Sequence, residues 1–409
     1  MNRSPLESSP VPPAAKQISA AVVVVEPGAG NEFGGHMREK LMVFTQRLKE
    51  RGIPFHVFTW LTPLEKYASF TALATSPIPQ RLIRFIPQRF KIKFLEFVTY
   101  RAAFSHAIRH GLPVMGLTIS SPWGLVPARW WLQFKTPYIQ RFLYIGLHPS
   151  GEKIEIRKRV MGAIQLALGS NGMAAFTTTF QNEKFIEHRP LHRNPPTRSY
   201  AIPEFILYDR ETSSSKTREP ILLIIGGDDP RRTPVQHLSE CNLNRPFSKI
   251  LLHEPSVKVR DEKKIEALQK SATGQVVWSN DYLLGPDLLG RFGCAKYCLV
   301  AYIPTFNATS SISLQSLACG LPVLISRFPD SIHLGKTFGK IGEFFDYANP
   351  DSLKAAIDRL LKWTDDDWND FAEARAKVID YCGYDRGVDY CLELMGCAVQ
   401  GSSPSVRPR

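Results

Sequence analysis

A chain of 409 residues with 44% apolar and 22% charged side chains has the make-up of an ordinary globular protein of about two domains. That arithmetic excludes a disordered, collagenous or small disulfide-framed protein. The net charge of +13 is unevenly shared: residues 1–200 carry 26 Lys and Arg against 11 Asp and Glu, while the remainder carries 25 against 27. An anionic partner is therefore expected on the first half only, as a membrane face, an anionic polymer or nucleic acid.

The first 17 residues are rich in Pro and Ser and lack the basic start, apolar middle and small-residue cleavage site of a signal peptide. They read as a disordered tail. The longest clean apolar run, Ala20–Val25, has six residues, against the roughly 20 that a membrane-spanning helix requires, so a cytoplasmic protein is expected. Seven cysteines, all between Cys241 and Cys397, include no C-x-x-C pair and read as reduced, mostly buried thiols.

From Ala20 the order is strand, Gly-rich loop, helix, strand: AAVVVV, then EPGAGNEFGGH, then MREKLMVFTQRLKERG with Leu41, Phe44 and Leu48 on one face, then PFHVFTW. That is the start of a parallel α/β sheet. Leu112–Ile119, Phe142–Leu147 and Ala174–Thr178 read as further buried strands. From Asn194 to Pro220 the chain turns Pro-, Ser- and charge-rich, and the boundary between two domains is placed there. A second α/β series follows, with PILLIIGG, SKILLHEP, GQVVWSN, YCLVAYIP and LPVLIS as strands and Asp261–Ser271 among the helices. Pro350 then opens a helix with Leu353, Ile357, Leu360 and Leu361 along one stripe, a second helix begins at Asp365, and a Ser/Pro tail ends the chain.

Two connections have the make-up of ligand sites. Gly28–His36 joins a strand to a helix, where backbone N–H groups and the helix dipole favour an anion. Its G-x-G-x-x-x-G spacing is not the dinucleotide fingerprint, and the second strand ends without an acid for a ribose, which disfavours NAD. The same glycines also fit a tight turn. In AYIPTFNATSSISLQSLACGLPVLIS, Ala301–Ser326, a strand ends at Pro304, Ser310 or Ser311 caps a helix through Ala318, and Gly320 closes it. A second helix N-terminus is thereby aimed into the crevice at the strand ends.

This segment resembles the donor-site signature of the GT-B glycosyltransferases, E-x7-E followed by E-A-x-A-C-G-x-P-V; QSLACGLPVL matches its latter half, and NPDSLKAAIDRLL resembles the helix that usually comes next. The resemblance extends over residues 18–395. It implies an α/β protein with two Rossmann-like parallel-sheet domains facing a central cleft: residues 18–200 on the acceptor side, a linker over 201–219, and residues 220–395 holding a nucleotide sugar, with tails over 1–17 and 396–409. Where the family has its two glutamates, this chain has Asn307, facing the transferred sugar, and Gln315, facing the ribose. An amide gives such a hydroxyl about 0.5–1.5 kcal/mol, a carboxylate about 1.5–3. Gly34, Gly35, Ser310 and Ser311 are further donor contacts. The leaving diphosphate needs fixed cations, and the family's position for them falls on Arg231 and Arg232 in GGDDPRRT, although Asp228 and Asp229 beside them offer structural pairing. His148, in YIGLHPSG, resembles the position beneath the donor sugar, and His36 falls on the acceptor side as a contact or proton carrier; a lone His is more often structural.

The activity implied is transfer of a sugar from a nucleotide-diphosphate donor to a hydroxyl of a glycan or lipid-linked acceptor, retaining by resemblance, with no cofactor. No metal is expected, because the D-x-D spacing at Asp365 and Asp367 reads as a helix cap. Asn307 and Gln315 leave room for a catalytically silent nucleotide- or glycan-binding protein; a sugar-nucleotide epimerase is a further alternative. The basic excess is concentrated in Arg81–His110, where seven Lys and Arg face one Glu among interleaved aromatics, and continues from Arg129 to Arg141. Residues 81–141 suit an anionic membrane surface on its inner, cytoplasmic side. The opposing reading places Phe85, Phe90, Phe94 and Phe97 in the core, with Pro87 interrupting any long helix. No nucleic-acid motif accompanies the charge.

Overall fold

The computed structural model describes residues 22–27, 35–59, 86, 88–119, 122–131, 142–146, 159, 162–164, 168, 172–176, 198–202, 204, 206, 217–225, 238, 241, 247–253, 266, 268–270, 275–279, 285–306 and 310–396. Four consecutive valines start the first sheet. In β1 (Val22–Glu26), Val23 and Val25 enter one apolar cluster and Val22 and Val24 the opposite one, so every position of the run is buried. That is the pattern of a strand covered on both faces. The remaining strands are β2 (Phe55–Thr59), β3 (Val114–Ile119), β4 (Phe142–Gly146), β5 (Gly172–Phe176) and β6 (Arg198–Ala201). All pair in parallel in the order β2-β1-β3-β4-β5-β6.

Helix α1 (Gly35–Glu50) covers one face with Leu41, Phe44 and Leu48, each fully buried as their spacing predicts. Burial of each such side chain contributes about 1.5–3 kcal/mol. Helices α2 (Gln88–His110) and α3 (Pro122–Trp131) cover the other face through Tyr100, Phe104, Leu125 and Ala128. As expected of a chain interrupted at Pro87, α2 begins at the next residue, Gln88, and its 23 residues run without a break. The phenylalanines divide: Phe97 is half-buried and packs against the core cluster, Phe94 is half-buried, Phe90 is 49% exposed, and Phe85 lies outside the described residues.

The second sheet consists of β7 (Ile221–Ile225), β8 (Lys249–His253), β9 (Gln275–Ser279), β10 (Tyr297–Val300), β11 (Val323–Ser326) and β12 (Gly342–Phe345). It is again parallel, in the order β12-β11-β10-β7-β8-β9. One face is covered by α4 (Gly285–Cys294), α5 (Ser311–Ala318), α6 (Pro329–Phe338) and α8 (Asp365–Cys382), the other by α7 (Pro350–Leu361). On α7, Leu353, Ile357 and Leu360 are buried as the stripe predicts, but Leu361 is turned outward. Thr364 caps α8, with Asp367 as the reciprocal partner, and Lys340 binds Asp367 from outside; these contacts hold the Asp367 carboxyl down at about 2.

Two segments depart from the expected boundary. Within the Asn194–Pro220 stretch, Arg198–Ala201 forms β6, an edge strand of the first sheet. The last helix, α9 (Tyr384–Met395), follows the second series in sequence yet buries Tyr384, Val388, Cys391, Leu392 and Met395 in the cluster of β1, β3, β4 and α1. Arg51 at the end of α1 reinforces that docking through Asp389 at 2.7 Å and Asp385 at 3.2 Å. Among the described residues, no helix is long and apolar enough to cross a membrane.

Candidate functional site

Strand order fixes where ligands can enter. In the second sheet the chain steps outward from β7 through β8 and β9, then returns to the other side of β7 to lay down β10, β11 and β12. The reversal leaves a crevice at the carboxyl ends of β7 and β10, the place where open parallel sheets bind ligands. In the first sheet the reversal lies between β1 and β3. The Gly-rich connection leaves the carboxyl end of β1, and the Ala301–Ser310 connection leaves that of β10. Each leads directly into a helix N-terminus.

The helix after β10 is built to present that terminus rigidly. Ser310 is extended (φ −85°, ψ 99°) and its Oγ accepts from the Ser313 N–H at 3.3 Å, an N-cap that contributes about 1 kcal/mol. Ser313, Leu314, Gln315, Ser316, Leu317 and Ala318 are all buried. At the other end Gly320 takes φ +79°, as a helix-terminating glycine does, and the Leu321 N–H reaches back to Ser316 C=O at 2.9 Å. Arg375 of α8 donates from Nε and Nη2 to Ala318 C=O at 3.1 and 3.0 Å, placing a cation at the negative end of the helix.

The approach to α5 is equally fixed. Tyr302 and Phe306 stack at 3.9 Å with 17° between their planes, and the Phe328 ring meets them edge-on at 5.4 and 5.5 Å. Ser326 Oγ accepts from Tyr302 N–H and donates to Tyr302 C=O, both at 2.8 Å, tying β11 to this loop.

Of the residues singled out from sequence, Ser310 is the N-cap of α5, Ser311 its first residue, and Gln315 sits one turn further, 6% exposed, its amide donating to Cys319 Sγ at 3.5 Å. Gly35 opens α1 with His36 beside it; the His36 side chain is outside the described residues. Gly34, His148, Arg231, Arg232 and Asn307 also lie outside them. By connectivity, Gly34 precedes α1, Arg231 and Arg232 follow β7, Asn307 precedes Ser310, and His148 follows β4. By chain order, the connection after β1 carries Gly34 and leads into Gly35 and His36, that after β7 carries Arg231 and Arg232, and that after β10 carries Asn307 and leads into Ser310 and Ser311.

Two acids were not anticipated. Asp330, in the first turn of α6, is 4% exposed and accepts from the Ser310 backbone N–H. Burial, opposed by that hydrogen bond and reinforced by the neighbouring Glu204, pushes its carboxyl up to about 7. Glu204 is 8% exposed and receives the Lys40 ammonium of α1 at 2.9 Å. The Tyr384 hydroxyl of α9 in turn donates to Lys40 C=O at 2.7 Å. This buried polar chain runs from the first sheet's helices to the cap of α5.

No protein-family model and no curated protein sequence matches the chain. Solved structures do match along nearly its whole length. A glycosyltransferase from Rickettsia africae superposes with a TM-score of 0.64 at 13% identity, covering 94% of this chain and 99% of its own. Sucrose-phosphate synthase from Thermosynechococcus elongatus gives 0.60 at 16%, covering 92% and 98%. HepE of Anabaena in complex with UDP gives 0.62 at 11%, covering 93% and 100%. The chain has the GT-B fold. In GT-B terms the two sheets are the two Rossmann-like lobes, and α9 is the segment that returns to the first lobe.

Proposed function

We propose that the protein transfers a sugar from a nucleotide-diphosphate donor to a hydroxyl group of a glycan or lipid-linked acceptor. The observation that carries this reading is the capped, immobilised N-terminus of α5 at the second-sheet switch point, in a chain whose fold is that of proteins solved with UDP. The diphosphate lies against that opening, where unpaired N–H groups and the helix dipole meet negative charge. Ser310 and Ser311 line it, and Arg231 and Arg232, in the connection after β7, compensate the charge that grows on the leaving group. Gln315 exchanges its long contact with the weak acceptor Cys319 for the ribose. Asn307 orients the transferred sugar, with His148 beneath it. Gly34 and Gly35 let the first-lobe backbone approach from the other side, and His36 faces the acceptor. The reaction retains anomeric configuration and uses no metal.

UDP and uridine titrations test the site. Arg232→Ala is expected to weaken UDP by at least tenfold while leaving uridine within twofold. Equal losses for both remove Arg232 from the phosphate role, and a wild-type melting temperature unmoved by any nucleotide overturns the donor site itself. A second reading, nucleotide binding without transfer, is favoured by the amides of Asn307 and Gln315 in place of two carboxylates. Tight UDP binding with no hydrolysis or transfer from any UDP-sugar decides for it.

The acceptor is presented at an anionic membrane surface. On α2, Phe90, Phe94, Phe97 and Arg101 follow one another at four-, three- and four-residue spacing, with Lys93 three residues after Phe90 and four before Phe97, and all are exposed or half-buried. Trp130 of the adjacent α3 is 70% exposed. Cations at about 1 kcal/mol each and aromatics at headgroup depth suit such a surface. The wild type is expected to bind phosphatidylserine vesicles at low salt and leave them at high salt. Changing Lys93 and Arg101 to Gln and Phe90 and Trp130 to Ser should abolish binding; equal binding by both proteins rejects this face.

A further inference from the structure

The carboxyl of Asp330 holds the backbone of Ser310, the N-cap of α5, and nothing in the donor site as described above employs it. One of its oxygens accepts the Ser310 N–H and so fixes the cap of α5; the other, Oδ2, is fully buried with no hydrogen-bond partner among the described residues. A carboxylate with an unanswered oxygen, away from water, is a costly arrangement. The groups facing it do not neutralise it. Glu204 contributes a second negative charge, and the Lys40 ammonium that answers Glu204 is already committed at 2.9 Å. Cys382 at the end of α8 and Tyr384 at the start of α9 both have their acidity suppressed by burial and by Glu204, and Asp330 adds to the effect on Cys382. The Cys382 thiol and the Tyr384 hydroxyl are thus held in their neutral forms, while Arg386 of α9, the cation that acts on Cys382, is paired with Asp380 at 2.8 Å.

A neutral carboxylic acid keeps its hydrogen bond to Ser310 and places no charge at the helix mouth. An ionised one keeps the same hydrogen bond but opposes an incoming diphosphate across a low-dielectric interior, where like charges are poorly screened. Two states of one group therefore share a geometry and differ in their tolerance of an anion. We propose that Asp330 is a positioning residue whose uptake of one proton from solvent accompanies nucleotide-diphosphate binding at the mouth of α5, making affinity at this site sensitive to pH. The inference rests on the donor site proposed above and adds to it a regulation of that site.

Linkage sets the size of the effect. One proton taken up by a group that releases it near pH 7 makes the UDP dissociation constant roughly tenfold larger at pH 8 than at pH 6. Asp330→Asn preserves the acceptor for Ser310 and has no charge to lose, so it should bind UDP at pH 8 as the wild type does at pH 6. The phosphate of UDP also titrates near pH 6, and it does so identically against both proteins, so the wild-type-to-variant ratio isolates Asp330. Glu204→Gln, which still accepts from Lys40, removes the negative charge that helps hold the Asp330 proton, so Asp330 should ionise, and UDP binding begin to weaken, at lower pH than in the wild type. A ratio that stays the same from pH 6 to pH 8 overturns the proposal.

Melting without nucleotide separates this failure from failure of the donor site. The folded state holds the Asp330 proton up to about pH 7, whereas an unfolded chain releases it near pH 4. Stability contributed by the wild-type group therefore falls as pH rises between those values, and the Asn variant escapes that fall. Glu96 is pushed up to about 7 by its own burial and shares the sign, so the comparison is again between the two proteins. If the melting difference grows with pH as expected but no UDP binds to either protein, the proton site stands and the nucleotide assignment is what fails, taking the coupling with it. If UDP binds and neither the melting difference nor the affinity ratio changes with pH, the donor site stands and Asp330 is a structural cap alone.

Discussion

Lys40→Ala is expected to destabilise the protein by about 3–5 kcal/mol, the usual consequence of removing one partner from a buried ion pair. The reason lies on the surviving side. Lys40 and Glu204 are 5% and 8% exposed, and without the ammonium Glu204 stays buried beside Asp330 and loses the ion pair it makes with α1 at 2.9 Å. Glu204 must then take up a proton or draw water into the junction, and either opens the contact between α1 and the segment before β7. Replacing both partners by apolar residues, Lys40→Met with Glu204→Leu, should restore most of the loss, because the desolvation cost disappears with the charges. Thermal melting of the single and double variants checks this. A single variant as stable as the wild type would mean that the junction is open to water and that the pair contributes nothing.

Phe328→Ala is the second large effect, about 3–5 kcal/mol for an aromatic side chain removed from a well-packed core. Phe328 is 1% exposed, and its ring is the edge on which the stacked Tyr302 and Phe306 rest. Removing it leaves a cavity directly beneath the connection that delivers Ser310 to α5. Stability and UDP affinity are therefore expected to fall together, with Phe328→Leu losing far less of each. Melting curves and UDP titrations on the same preparations test the link; lost stability with unchanged affinity would show that the aromatic stack supports the lobe without setting the site.

Much of the architecture could be read from apolar runs and punctuation. Val22–Val25 and Ile221–Ile225 are strands because nothing in them tolerates water on either face, and the caps of α5 at Ser310 and Gly320 follow from the conformations those residues permit. What escaped was set by tertiary context. RSYA makes a poor strand in isolation and forms β6 because β5 offers it an edge to pair with. The periodicity of Tyr384–Met395 reveals an apolar face but not which sheet will receive it, and the receiving residues of β1 and α1 lie more than 300 positions earlier. Asp330 in FPDSI has the pattern of an acid favouring a helix dipole, which it is; its burial and its nearness to Glu204 come from two chain segments 126 residues apart, and no local pattern records that. The connections proposed for the donor site were legible only as chain segments leaving particular strand ends, since strand order determines which strands lie side by side.

The return of α9 to the first sheet has a consequence for biosynthesis. A ribosome releases residues 22–200 long before residues 384–395, so the face of β1, β3 and β4 destined for Val388, Cys391, Leu392 and Met395 stays uncovered until translation is almost complete. The nascent first lobe carries that apolar surface alone, and any truncation that removes the final helix leaves it permanently in that unfinished state.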